Sequence, residues 1–327
     1  MNMHRRTLLA APALLPFGLP SSARAQGEWP QRPINMLVPF VAGGPSDITA
    51  RVMAAKLGAI LGQSVVVENR PGANGAVAGQ VLARAAPDGY TLLTGSIGVF
   101  AINAALRPSL PYDPLKDFQT VTLAVTTPNV LIINPSKVPA TDYAGVLAWL
   151  RANGRNVSYA TSGVGSSEHM TMELFKLRTN TEATHIPYQG GAAAATSLIA
   201  GDTQLTFQNL SGVAAHIQAG RIKPVMVTSE RRNPTIPDVP TAAELGLSDF
   251  VVTSWQATMA PAGLPAPILA KLEAGCIRAL RDPESVQRLN QIGFDVVAST
   301  AAEFRTFQEA EINRWKTVVD RANIRAE

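Results

Sequence analysis

The chain has 327 residues, of which 46% are hydrophobic and 16% are charged, and its formal net charge at pH 7 is +4. This hydrophobic content argues against a disordered chain, and a single cysteine, Cys276, excludes an intramolecular disulfide. Beyond the first segment no apolar run reaches the length of about 18 residues that a transmembrane helix needs, so none is expected.

Residues 1–25 have the pattern of a signal peptide. Arg5 and Arg6 supply a positive start, a short proline-broken apolar run follows, and Ala23-Arg24-Ala25 forms an A-x-A cleavage site. We expect export by the general or the twin-arginine route, with the mature chain beginning at Gln26. Loss of Arg5, Arg6 and Arg24 reduces the 28 Lys and Arg to 25, against 24 Asp and Glu. Such a nearly neutral chain is not expected to bind nucleic acid.

A first series of strands and helices follows the signal peptide. Apolar runs predict strands at 34–38, 65–67 and 90–93, and helical spacing of apolar residues predicts helices at 46–61, 76–85 and 99–106. Ser46 is expected to cap the first of these helices, and Gly62 is expected to end it.

A second series begins near residue 130. It has predicted strands at 130–133, 157–160, 184–186, 204–207 and 225–227, and helices at 143–152, 167–177, 192–199 and up to Gly220. The Pro-rich stretch 234–240 is expected to be a crossing region, and a strand at 257–259 returns to the first series. Trp255, just before this strand, is the one tryptophan expected near a cleft. Helices at 268–280, 284–292 and 303–322, with a strand at 294–297, complete the chain.

This alternation predicts an α/β fold in which mostly parallel sheets carry helices on both faces. A mature chain of about 300 residues exceeds what one core usually holds, so two lobes are expected. We assign residues 26–126 and 251–327 to lobe 1 and residues 127–250 to lobe 2. The chain then passes between the lobes twice, and two crossing strands form a hinge.

Two strand-to-helix loops, one in each predicted lobe, carry the candidate site. The loop at 39–47 contains Phe40, Gly43, Gly44, Ser46 and Asp47, and the loop at 160–168 contains Ser162, Gly163, Gly165, Ser166 and Ser167. Glycines let the backbone approach a ligand closely, and the first turn of a helix presents unpaired N–H groups at the positive end of its dipole. Ligands of open α/β sheets bind beyond the carboxyl ends of strands, so both loops are expected to face one cleft. Because none of these residues is cationic, the loops predict a carboxylate held by main-chain amides and hydroxyls.

The same loops do not match common catalytic or cofactor motifs. Gly163-Val164-Gly165 begins like a dinucleotide-binding motif, but Glu168 stands where its last glycine belongs, and neither a P-loop ending nor a G-x-S-x-G elbow is found. His169 and Glu173 lie four residues apart without an apparent third metal ligand. His185 is expected to be a hydrogen-bonded structural residue. We therefore expect no enzyme activity, no cofactor and no metal.

An ordered set of short motifs runs through the whole mature chain. They are Pro39-Phe40 with Gly43-Gly44-Pro45-Ser46-Asp47, Val67-Glu68-Asn69-Arg70-Pro71-Gly72-Ala73, Pro87-Asp88-Gly89-Tyr90-Thr91-Leu92, Ser162-Gly163-Val164-Gly165-Ser166, His185-Ile186-Pro187-Tyr188-Gln189-Gly190, and Pro237-Asp238-Val239-Pro240-Thr241 with Glu244 and Gly246. On these motifs the chain resembles the Bug family, the extracytoplasmic solute receptors of tripartite tricarboxylate transporters.

The resemblance implies a periplasmic location and a two-lobed, type II-like periplasmic-binding-protein fold. It also implies a ligand carboxylate held by backbone N–H groups and ordered water. Carried over by position, the ligand contacts are Phe40, Gly44, Ser46, Asp47, Ser162, Gly165, Ser166 and Ser167, with Ser96, Gln208 and Asn209 completing the pocket. Ser46 replaces the threonine of many relatives and keeps the hydroxyl. Gln208 stands where family members often carry Asp, which leaves a preference for amine-bearing ligands open.

The expected function is capture of a small carboxylate-bearing solute, by a monomer, for the membrane permease subunits of a tripartite transporter. A sensor role for a membrane signalling partner stays open, because both roles need only a closed, liganded form that the partner prefers. An enzyme acting on a small organic acid is the third alternative. The sequence identifies neither the carboxylate nor the membrane partner.

Overall fold

The computed structural model describes residues 28–322 and 324. The predicted signal peptide and the predicted mature start at Gln26 lie outside the described residues. None of the helices within them carries a stretch that is both long and apolar enough to cross a bilayer.

The described residues form ten strands and ten α-helices. The strands are β1 (Ile34–Val38), β2 (Val65–Asn69), β3 (Thr91–Ser96), β4 (Phe118–Ile133), β5 (Ser158–Thr161), β6 (Thr184–Pro187), β7 (Leu205–Asn209), β8 (Lys223–Val227), β9 (Thr253–Pro261) and β10 (Asp295–Val296). The helices are α1 (Pro45–Leu61), α2 (Ala76–Ala83), α3 (Asn103–Leu106), α4 (Tyr143–Asn153), α5 (Ser167–Thr179), α6 (Gly191–Ala200), α7 (Leu210–Gln218), α8 (Ala266–Leu280), α9 (Pro283–Gln291) and α10 (Ala301–Ala322). The predicted helix at 99–106 is in fact a π-helical turn, Gly98–Ile102, that continues into α3.

The strands pair in two groups that β4 joins. In the first group β1 lies parallel between β2 and β3, and β9 pairs antiparallel with both β3 and β4. In the second group β5 pairs parallel with β6 and β7, and the end of β4 pairs antiparallel with β7 and β8. The α/β class is confirmed. The sheet is mixed rather than mostly parallel, because β4 and β9 run antiparallel to the strands beside them.

Helices cover both faces of each strand group, as the alternation of side chains along the strands shows. Ile34, Met36 and Val38 of β1 pack with residues of α1 and α8, whereas Leu37 faces a core built with α2, α3 and α10. In the second group, alternate residues of β4 likewise face α4 and α5 on one side and α6 and α7 on the other. Both faces of each strand group therefore bury apolar side chains beneath helices.

The sequence prediction missed most of β4, which was expected only at 130–133. The first part of β4 buries Thr120, Thr122 and Thr127, and their hydroxyls donate to main-chain carbonyls of residues 301, 299 and 293. Buried threonines interrupt the apolar pattern by which a strand is found in a sequence. Their hydrogen bonds form only after the C-terminal part of the chain has packed against β4.

The Pro-rich stretch 234–240 is not a crossing region, contrary to the prediction. Ile236 and Val239 are buried in the core beside β8, and the carbonyl of Pro240 accepts a hydrogen bond from the amide of Val227. The stretch thus packs onto the second strand group. The chain returns to the first group afterwards, where Thr253 at the start of β9 pairs with Pro128.

Candidate ligand-binding site

A small cavity beyond the carboxyl ends of β1 and β5 brings the two predicted loops together. The empty space there, counted together with its opening to solvent, is about 350 Å³. It is lined by Phe40, Gly44, Pro45, Ser46, Ser96, Ser162, Ser166, Ser167, Glu168, Gly191, Asn209, Ser254 and Gln256. Eight of the thirteen predicted ligand-binding residues belong to this lining. The other five, Gly43, Asp47, Gly163, Gly165 and Gln208, lie outside it.

The first loop leads directly into α1, but Ser46 does not cap this helix as predicted. Gly44 is the N-cap and Pro45 occupies the first helical position, where its missing N–H costs nothing. Ser46 therefore lies inside the first turn. Its buried hydroxyl donates to Oε1 of Gln256 on β9 at 2.5 Å, which links the loop to the middle of the sheet.

Asp47 holds the first loop from behind instead of lining the cavity. Its carboxylate accepts hydrogen bonds from the Gly43 amide at 3.0 Å, from Asn69 Nδ2 at 2.9 Å and from Arg51 Nε at 3.0 Å. Burial opposes ionisation of this carboxyl, but the bonds from Arg51, Gly43 and Asn69 outweigh it and lower the pKa of Asp47. Gly43 is exposed, and its amide faces Asp47. Both residues therefore fix the loop conformation.

The second loop places three serines at the cavity. Ser166 is the N-cap of α5, and its hydroxyl accepts from the His169 amide at 3.3 Å. Ser162 and Ser167 direct their hydroxyls to Oε2 of Glu168, at 2.9 and 3.3 Å. The loop thus presents hydroxyl groups and the first turn of a helix to the same space.

Two glycines give the second loop its path. Gly163 has φ of +133° and Gly165 has φ of +82°, which are backbone conformations that side chains disfavour. The Gly165 amide donates to Nδ1 of His169 at 3.2 Å. Gly163 lines a neighbouring recess of about 550 Å³, which shares Phe40 and Ser162 with the cavity. Neither glycine faces the cavity itself.

The remaining predicted residues lie at the ends of β3 and β7. Ser96 and Asn209 line the cavity, and Asn209 donates through Nδ2 to Asn129 Oδ1 at 2.7 Å and to Ser167 Oγ at 3.0 Å. Gln208 is buried behind the lining, and its Nε2 has no hydrogen-bond partner among the described residues. Asn209 thus connects β4, β7 and the second loop.

Sequence reasoning did not single out Gly191, Ser254 and Gln256 as site residues. Gly191 begins α6, and Ser254 and Gln256 lie on β9, two residues apart and therefore on one face of the strand. Ser254 is buried, and its hydroxyl has no hydrogen-bond partner among the described residues. Two polar side chains on one face of a buried strand could have indicated a site here. They were missed because the predicted strand began only at residue 257, after both of them.

The electrostatics of the cavity come from helix ends rather than from cations. Three helices, α1, α5 and α6, begin at residues of the lining, and α7 begins directly after its N-cap Asn209, which also lines the cavity. None of the lining residues is Lys or Arg. The first turn of each helix leaves N–H groups without intrahelical partners and carries the positive end of the helix dipole. A cavity surrounded by four such ends and by serine hydroxyls favours an anion.

Glu168 is the one ionisable residue in the lining. Its side chain is buried, and no basic side chain that the structure describes, among residues 28–320, forms an ion pair with it. Burial raises the pKa of Glu168, while its own backbone amide and the hydroxyls of Ser162, Ser166 and Ser167 act in the opposite direction. A carboxyl group with this environment is an unusual component of an anion site.

The buried histidines beside the second loop form a packing cluster. His169 stacks on His185 with ring centroids 4.1 Å apart, and burial lowers their pKa values to about 4 and about 3. Oε1 of Glu173 accepts from Tyr159 at 2.5 Å and from Lys176 at 2.7 Å, so the hydrogen-bond partners of this carboxylate are Tyr159 and Lys176. No group of three or more His, Cys, Asp or Glu suited to a metal ion occurs in the described part of the chain.

Trp255 does not lie near the cleft, contrary to the prediction. Its ring is fully buried and packs against Phe100, Phe304 and Phe307, and its Nε1 donates to Glu311 at 3.0 Å. Its neighbours Ser254 and Gln256 point to the cavity, and alternation along β9 turns Trp255 to the opposite face.

Comparisons with known proteins agree with this arrangement. The sequence profile of the tripartite tricarboxylate transporter family receptor matches residues 49–324. The chain is similar to the periplasmic binding protein BugD, with 31% identity and a TM-score of 0.88 over 91% of this chain and 100% of that one. It is also similar to Rpa4515 of R. palustris with adipate, at 34% identity and a TM-score of 0.88 over 91% and 99% of the two chains. Malate-bound MatC of Rhodopseudomonas palustris shares 33% identity and a TM-score of 0.85 over 89% and 100%. The predicted periplasmic-binding-protein fold is confirmed.

Proposed function

The chain belongs to the tripartite tricarboxylate transporter receptor family, and from this premise we propose that it captures a small organic carboxylate in the cavity for a membrane permease. Proteins of this family are periplasmic solute-binding receptors, and this chain is such a receptor rather than an enzyme.

The observation that carries the proposal is the meeting of four helix N-termini at a cavity without Lys or Arg. Helix N-termini bind anions through main-chain N–H groups, and a planar carboxylate accepts such bonds at both oxygens. Related structures solved with adipate and with malate support the same class of ligand. The proposed direct contacts are Phe40, Gly44, Ser46, Ser96, Ser162, Ser166, Ser167 and Asn209. Of the predicted residues outside the lining, Gly43, Asp47, Gly163 and Gly165 fix the conformation of the two loops.

We assign ligand capture to closure of the two predicted lobes, residues 26–126 with 251–327 and residues 127–250. A ligand that contacts both loops stabilises the closed arrangement, and a permease that prefers this arrangement receives the loaded receptor. The receptor acts as a monomer, because all proposed contacts come from one chain. The signal peptide at 1–25 directs it to the periplasm.

A melting screen tests the proposed ligand class. Each mono-, di- or tricarboxylate or aromatic acid is compared with its neutral amide, which keeps the shape and removes the charge. At about one hundred times its Kd, a true ligand stabilises the fold by about 2.7 kcal/mol, which raises the melting temperature by a few degrees in a chain of this size. We expect shifts with acids only. Shifts confined to the amides would refute the proposal, and steady conversion of a bound acid would show an enzyme instead.

A further inference from the structure

We propose that Glu168 makes the cavity selective for carboxylates that also carry a protonated amine, whose ammonium group pairs with the Glu168 carboxylate. The inference rests on the proposed function, since it adds a second recognition element to the same cavity. Glu168 lies in the lining, where a bound solute reaches it directly.

Glu168 has no counter-ion among the described side chains. Three acids of the described residues are buried, and the other two have basic partners: Asp47 has Arg51 and Glu311 has Arg314. Glu168 is as buried as these two acids, but no described basic side chain pairs with it. A buried carboxylate without a partner is costly, and a cation brought by the ligand removes this cost.

The two oxygens of the Glu168 carboxylate have different surroundings. The hydroxyls of Ser162 and Ser167 both donate to Oε2. Oε1 lies over the lining residue Gly191, 4.0 Å from the position that a Cβ on this glycine would take. Oε1 is therefore at the cavity wall, where an ammonium group of the ligand can donate to it.

Gly191 has no side chain that would cover Oε1 of Glu168. A Cβ at this position would lie between Oε1 of Glu168 and Cδ of Pro45, 4.0 and 3.8 Å from these two atoms. The glycine leaves this space to the ligand. Within the cavity, the helix ends therefore receive the carboxylate, and Glu168 receives the ammonium group.

Matched ligand triples test the inference by calorimetry. Each triple shares one carbon skeleton and differs only in its substituent: propionate, lactate and alanine; succinate, malate and aspartate; glutarate, 2-hydroxyglutarate and glutamate. The native chain should bind the amino acid of at least one triple about tenfold or more tighter than the unsubstituted acid. Glu168→Gln keeps the size and the serine hydrogen bonds but not the charge, and it should abolish this preference.

Glu173→Gln is the matched control, because it removes an acid from the same helix outside the lining. It should leave the preference unchanged. If the native chain binds unsubstituted acids as tightly as amino acids, the inference is overturned and the proposed function stands. If Glu168→Gln tightens the unsubstituted acids but leaves the Kd of the amino acid unchanged, the inference is also overturned, since Glu168 would then only repel the unsubstituted acids. If no carboxylate of the screen or of the triples binds, the proposed function fails and the inference fails with it.

Discussion

Replacing Gly165 with alanine should weaken ligand binding, because this glycine lies where the two strand groups approach each other. A Cβ at Gly165 would lie 2.9 Å from Cδ2 of Leu106, 3.2 Å from Nδ2 of Asn74 and 3.4 Å from Oδ1 of Asn103. These three residues belong to segments packed on the first strand group, whereas Gly165 follows β5 of the second. The methyl group would therefore obstruct the contact between the two loops.

The magnitude follows from two separate costs. A φ of +82° costs an alanine about 1–2 kcal/mol whether or not the loops are in contact. Overpacking against Leu106 and the two asparagines adds about 1–3 kcal/mol. This cost applies only while the two loops are in contact as they are here, and we assign that contact to the closed, ligand-binding arrangement. Since each 1.4 kcal/mol is a factor of ten, Kd should rise about fivefold to more than a hundredfold.

Gly263 offers a matched control. It has the same φ of +82°, but a Cβ there would meet nothing within 4 Å. Gly263→Ala should therefore lower the melting temperature without changing Kd. Calorimetry with a carboxylate from the melting screen measures Kd for both variants. Equal Kd values for Gly165→Ala and Gly263→Ala would refute the reasoning that closure brings Gly165 against Leu106.

Two further predictions concern stability. Burial lowers the pKa of His169 and His185 from 6.5 to about 4 and about 3. Below about pH 6.5 the unfolded chain therefore binds protons that the folded chain does not. The free energy of unfolding should fall as the pH drops toward 4. Urea unfolding at stepped pH measures this slope; His185→Gln should flatten it, and an identical slope in the variant would contradict the assignment. Trp255→Phe should cost about 1–3 kcal/mol of stability, because the buried Glu311 carboxylate loses a hydrogen-bond donor, while Kd changes less than about twofold. A large change in Kd at native stability would place Trp255 at the site instead.

Much of the fold could be read from local patterns. The strand at 34–38 was predicted with its observed bounds, and Gly62 ends α1 in the left-handed conformation expected of a helix-terminating glycine. Apolar runs and glycine stops act within a few residues, so they are visible in a sequence. The loop after β1 and the loop after β5 were found for the same reason, since each joins glycines to a helix start.

Other features of the site depend on partners far along the chain. Ser46 was expected to cap α1, but its hydroxyl binds Gln256, 210 residues away in the sequence. Gln208 and Asn209 are neighbours on β7, yet only Asn209 reaches the lining, because successive residues of a strand face opposite sides. No local pattern indicates which of two such neighbours faces a cavity.

By itself the sequence determined the α/β class, the two glycine-containing loops and the absence of a cation within them, because these depend on residue type and short-range spacing. Only the tertiary structure decided which residues of the loops reach the cavity and that β9 and α6 complete its wall. It also decided that Glu168 lies in this wall with no basic partner among the described side chains. The physical reason is that burial and charge pairing are set by contacts between distant segments, which exist only after β4 and β9 have paired.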